Sequence, residues 1–165
     1  MEEIRQLIAH YAGKGILIDT NILLLYFIGS FNQNLISRFK RTLQFTPEDY
    51  DTLLILLHPF ARLVTTPNIL TEVSNLSGHL GEPIRTNYFQ FLAERIPSME
   101  ERYINSASIV EQESFKKIGL TDTGILEISK TRYLVLTDDF RLSQTLQSQN
   151  IDVVNFNHIR VLGWE

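Results

Sequence analysis

Cysteine is absent from the sequence. That excludes a disulfide scaffold, a zinc–thiolate centre and cysteine nucleophile chemistry. Long apolar runs are missing as well. The longest, Ile22 to Ile28, is far too short to span a bilayer. No leader peptide is expected, because "MEEIRQLIAHYAGKG" opens on two acids and has no long apolar core. A Gly-rich phosphate-binding loop is lacking. An excess of positive charge is lacking too: 15 Lys and Arg stand against 19 Asp and Glu, a formal net charge of −4. This argues against broad, non-specific binding to nucleic acid, which needs basic surface. It does not argue against a nucleic-acid enzyme, because a carboxylate metal site lowers net charge by itself.

What is present suits a globular protein. The sequence is 44% hydrophobic, enough for 165 residues to bury a core without covalent staples. No repeat, low-complexity tract or linker divides it. The expectation is one domain over 1–165, cytoplasmic and not in the membrane. Basic residues cluster at Arg38, Lys40 and Arg41 and at Lys116 and Lys117; solvated helix faces account for both.

The chain reads as short apolar strands separated by helices. Glu2 to Tyr11 has amphipathic helical spacing, and Gly13 and Gly15 break it. Ile16 to Ile18 is apolar throughout, as buried parallel strands are. A helix follows Thr20-Asn21 to about Ile28, closed by Gly29. Ser30 to Leu43 reads as another helix. Thr46-Pro47 and Thr66-Pro67 each give a cap followed by proline at the first helical position. Strands are expected at Leu63 to Thr65, at Tyr133 to Leu136 and in "IDVVNF". Helices are expected at Ile84 to Arg95, Ala107 to Lys117 and Phe140 to Gln149, and one more after Gly119 with Thr121 as its cap. The fold expected is α/β: three layers, α/β/α, around a short parallel sheet of about four to five strands.

In such sheets, sites gather at the carboxyl ends of the strands. Asp19 directly follows the first strand, and Asp138 and Asp139 directly follow the strand ending at Leu136. Glu72 borders the apolar face of the helix that follows Leu63 to Thr65. Asp122 lies in the first turn of its helix. Each has an ordinary reading alone: a cap, a turn residue or a first-turn acid. Together they would place several carboxylates at one sheet edge, where repulsion raises pKa values. A hard divalent cation removes that conflict, and an all-oxygen set without Cys or His suits Mg²⁺ or Mn²⁺. The histidines His10, His58, His79 and His158 fall outside these motifs and read as surface or helix-end residues. Histidine acid–base catalysis, common in metal-free ribonucleases, is poorly supported.

The segments "ILIDTNILLLYF", "TTPNILTEVSNL", "GLTDTGILEIS" and "YLVLTDDFRLS" occur in this order. Their order and context resemble the PIN-domain nucleases over essentially the whole chain, with more helix around 30–57 than compact members need. The resemblance implies a Mg²⁺- or Mn²⁺-dependent endoribonuclease that leaves 5′-phosphate and 3′-hydroxyl ends on single-stranded RNA. It assigns Asp19, Glu72, Asp122 and Asp139 as catalytic metal ligands. Asp138 is the candidate substitute or outer ligand, and Thr20, Asn21 and Thr137 are candidates to orient the carboxylates. It further implies a toxin inhibited by an antitoxin protein, and a homodimer through helices. For the latter, "LLLYFIGSF" and Tyr88 to Leu92 are the apolar candidates, with core packing as their commoner fate. Two alternatives accompany it: a catalytically silent PIN fold acting as a binding or assembly module, and a DNA-directed nuclease.

Overall fold

The computed structural model describes residues 2–130 and 132–162; Met1, Thr131 and 163–165 of the expected domain lie outside them. The fold is α/β, with one all-parallel sheet of five strands flanked by helices. In chain order the elements are α1 (Glu2–Tyr11), β1 (Ile16–Ile18), α2 (Thr20–Asn32), α3 (Pro47–Leu57), β2 (Leu63–Thr65), α4 (Pro67–Ser77), α5 (Ile84–Arg95) and β3 (Glu100–Glu101). Then come α6 (Ser106–Val110), α7 (Phe115–Ser129), β4 (Leu134–Thr137), α8 (Phe140–Ser148), β5 (Val153–Asn155) and α9 (Phe156–Leu162).

The strand order is β3-β2-β1-β4-β5. Successive strands are added on one side of β1 and then, from β4, on the other. The order therefore reverses between β1 and β4, where an open α/β sheet leaves a crevice beyond the strand ends. Ile16, Leu17 and Ile18 pair in register with Leu134, Val135 and Leu136. All six side chains are fully buried, so these strands are covered on both faces and show no alternation. Asp19 and Thr137 thus emerge side by side at the centre of the sheet's carboxyl edge, and the Asp19 N–H donates to the Leu136 carbonyl at 2.9 Å.

Helix α2 is apolar nearly all round and is correspondingly buried among the other helices. Gly29 does not end it. The helix runs on to Asn32, and Gly29 serves close packing instead: a Cβ there would stand 2.3 Å from the Tyr50 ring. The "LLLYFIGSF" stretch contributes Leu23, Leu24, Leu25, Phe27 and Ile28 to the core, and Tyr88 and Leu92 are buried as well. Helix α3 starts as its sequence implies, with a reciprocal capping box between Thr46 and Asp49.

Four expectations need correction. Residues 30–43 form no continuous helix: α2 ends at Asn32, one 3₁₀ turn follows over Gln33–Leu35, and bends and turns continue to 44. The buried Thr42 hydroxyl donates to the Ile36 and Phe39 carbonyls, satisfying them in a non-helical path. The 107–117 helix is shortened to α6. Helix α7 runs from Phe115 through a kink at Gly119, whose φ of 81° and ψ of −174° only glycine adopts readily. Finally, β4 is displaced by one residue from Tyr133–Leu136, which brings Thr137 into the strand end.

Candidate active site

Four of the predicted acids line one pocket of about 380 Å³: Asp19, Glu72, Asp122 and Asp139, joined by Thr20, Asn21 and Thr121. They come from four elements. Asp19 ends β1 and caps α2; its carboxylate accepts the Thr20 N–H at 2.6 Å and the Thr137 hydroxyl at 2.6 Å. It is 7% exposed. Burial is the main cause that lifts its pKa to about 6, and the charges of Asp138 and Asp139 add to the rise against those two hydrogen bonds.

Glu72 projects from α4, which packs against both α2 and α7. Its two oxygens are held from either side, by the Thr20 hydroxyl at 2.8 Å and the Thr121 hydroxyl at 2.5 Å. Thr121 is therefore not a helix cap; the kink at Gly119 turns it toward Glu72. The same kink carries Asp122 to the pocket. Burial raises the Asp122 pKa to about 7, and the charges of Asp19, Asp139 and Glu72 push in the same direction, against Arg141. No donor among the described residues hydrogen-bonds the Asp122 carboxylate.

The Asp138–Asp139 pair divides. Asp139 caps α8, with Oδ1 accepting the N–H groups of Arg141 at 2.7 Å and Leu142 at 3.0 Å, and it lines the pocket. Asp138 does not line it. Its carboxylate accepts from Asn21 and, at 3.0 Å, from Gln44, and burial raises its pKa. Its carbonyl accepts from Asn157 at 2.8 Å. Gln44 and Asn157 carry no motif in the sequence and were found only through these contacts. The four histidines are exposed, and none lines this pocket.

Thr137 ties the site together. Its hydroxyl donates to Asp19 and accepts the Asp139 N–H at 2.9 Å, linking the ends of β1 and β4. Thr137→Val is expected to cost about 2 kcal/mol, because it strips a partner from each of two groups. Thr137→Ser should stay near wild type. Urea unfolding of both variants checks this.

Sharing a pocket is not the same as forming a finished cage. Among the described residues, no three Asp, Glu or His side chains stand close enough to hold a metal ion as they are placed. The reason is visible in the partners: Glu72 is drawn to two threonines, and Asp19 and Asp139 are drawn to helix N-termini. The donor chemistry nonetheless fits a hard cation. All the candidate donors are carboxylate oxygens, and Asp122 meets three like charges with no hydrogen-bond donor of its own. Ligation would require the carboxylates to draw inward, and neither Asp122 nor the second oxygen of Asp139 is held back by a hydrogen bond to a described residue.

A scan against protein-family models finds no match, and no curated protein matches the chain either.

Proposed function

We propose that this protein is a Mg²⁺- or Mn²⁺-dependent nuclease of PIN type acting on single-stranded RNA. The observation that carries this reading is the convergence of Asp19, Glu72, Asp122 and Asp139 on one pocket at the point where the strand order reverses. Burial, and then the charges of the neighbouring carboxylates, disfavour the ionised forms of Asp19 and Asp122 and raise their pKa values; a bound cation would relieve both. These four residues would hold the ion. A bound hard cation supplies an activated water and offsets charge on the reacting phosphodiester.

The chain's own part is orientation. Thr20 and Thr121 fix both oxygens of Glu72. Thr137 fixes Asp19 and the loop that carries Asp139. Gly119 presents Thr121 and Asp122. Hydroxyl partners of this kind hold carboxylates in place and tune their basicity. Attack by water, with no part for the 2′-hydroxyl, leaves 5′-phosphate and 3′-hydroxyl ends. Matched single-stranded RNA and DNA incubated with Mn²⁺ test the reading. Cleavage of RNA with these ends, lost in EDTA, supports it. Preferential DNA cleavage would move the substrate class, and 2′,3′-cyclic ends would overturn the mechanism. A toxin role adds its own expectation: expression should arrest growth, and a neighbouring small antitoxin should relieve it.

One observation favours a second reading, a silent binding module. Asp19 and Asp139 both cap helices, which accounts for two of the four acids without a metal.

A further inference from the structure

A pocket of about 750 Å³ lies outside the acidic site. The buried Leu35, Phe39 and Leu80 and the exposed Ile84 line it, and the exposed Arg38, Lys40 and Arg41 form its rim. In a chain of net charge −4, this concentration of cations stands out. None of the three makes an ion pair or side-chain hydrogen bond to a described residue. The nearby acid Glu82 is taken by Arg85 and Thr86.

A solvated helix face does not describe these cations, because residues 36–44 are not helical. The buried Ile36, Phe39 and Thr42 recur at every third position with the exposed Arg38, Lys40 and Arg41 between them, and Thr42 stitches the path with its two hydroxyl bonds. The segment is anchored from beneath and presents its charges outward in a fixed order. It also runs on along the chain toward Asp138, the neighbour of Asp139 in the acidic pocket. Gln44, three residues beyond Arg41 and so no more than about 11 Å away, hydrogen-bonds Asp138. On the other wall, His79 of this groove lies three residues beyond Leu76 of the acidic pocket. Past the acids, a further furrow of about 550 Å³ shares Glu72, Leu120 and Thr121 with the acidic pocket and opens at Tyr103, which is 76% exposed.

We propose that the groove rimmed by Arg38, Lys40 and Arg41 binds the phosphate backbone of single-stranded RNA and leads the strand across the acidic pocket. The proposal rests on the nuclease reading for the identity of the strand. Charge complementarity supports it directly: an acidic pocket repels a polyanion, so cations must hold the strand beside it.

The test is binding without cleavage. Fluorescence anisotropy of a labelled 12-nucleotide single-stranded RNA is measured in EDTA at several salt concentrations. The triple variant Arg38→Ala, Lys40→Ala, Arg41→Ala is compared with wild type, and thermal melting checks that it folds. The expected result is a loss of affinity of at least about tenfold at low salt, with the salt slope reduced by about 2 for three lost contacts to a single strand. Unchanged affinity and slope would overturn the proposal. Tight binding of an acidic peptide by a wild type that binds no RNA would also overturn it, assigning the groove to a protein partner. The two readings fail separately. Loss of RNA binding in the triple variant of a protein that never cuts would remove only the nuclease. Mn²⁺-dependent cleavage with the triple variant unimpaired would remove only the groove.

Discussion

Asp19→Asn is expected to lower RNA cleavage by about a thousandfold, corresponding to the loss of roughly 4 kcal/mol of transition-state stabilisation at a metal-assisted centre. The substitution is chosen because it separates the two roles that Asp19 combines. Asparagine is as good an N-cap as aspartate, so α2 keeps its first-turn partner. It has nearly the same volume, and its amide can donate to the Thr137 oxygen while its carbonyl accepts from Thr20. Only the charge is removed. If Asp19 were a cap alone, the variant would cleave as well as wild type and melt at a similar or higher temperature. A ligand role requires the opposite result for activity. Single-turnover cleavage with Mn²⁺, beside a melting curve of the same preparation, gives both readings at once.

The second large effect concerns stability against pH without metal. Asp19 and Asp122 have folded-state pKa values near 6 and 7, against about 3.8 when exposed. The folded protein therefore binds more protons than the unfolded chain between those limits. Stability must then fall as pH rises from about 4 to about 7, and level off above. The sign is opposite to that of a carboxylate in a salt bridge. Together the two groups are worth on the order of 7 kcal/mol, more than about 10 °C in melting temperature for a chain of this size. In EDTA, wild type should melt lower at pH 8 than at pH 5, and Asp122→Asn should flatten the profile and melt higher than wild type at pH 8. A variant that gains stability while losing function is the mark of a residue kept for chemistry. A wild-type profile that rises across this range would show that burial and the neighbouring charges do not hold protons on Asp19 and Asp122.

Much of this was legible in the chain. The uninterrupted apolar runs at Ile16 to Ile18 and around Leu134 to Leu136 identified the central strands, because strands covered on both faces have no polar side to display. Thr46-Pro47 and Thr66-Pro67 marked the starts of α3 and α4, as capping chemistry is local. The positions of Asp19 and of Asp138-Asp139 after those strands placed them at one edge. Other features depended on contacts no local pattern encodes. Glu100–Glu101 pairs with β2 through the backbone ladder, so two acids gave no strand signal. Ile36, Phe39 and Leu43 mimic helical spacing, but Thr42 and the burial of Phe39 and Phe45 set a turning path. Gly29 looked like a helix end; its role is set by Tyr50, which lies 21 residues away in sequence. That Asp139 and not Asp138 lines the pocket depends on Gln44 and Asn21, which hold the Asp138 carboxylate, and on the α8 N-terminus, which holds Asp139.

Asp122 makes the cleanest probe of the whole account, since it caps nothing and accepts no hydrogen bond from a described residue. Calorimetric titration with Mn²⁺ at pH 7.5, on wild type and on Asp122→Asn, should show saturable binding to wild type with protons released to the buffer, and at least tenfold weaker binding to the variant. A wild type that binds no Mn²⁺ at millimolar concentration, or a variant that binds it equally well, would contradict the claim that these carboxylates are gathered to hold a cation.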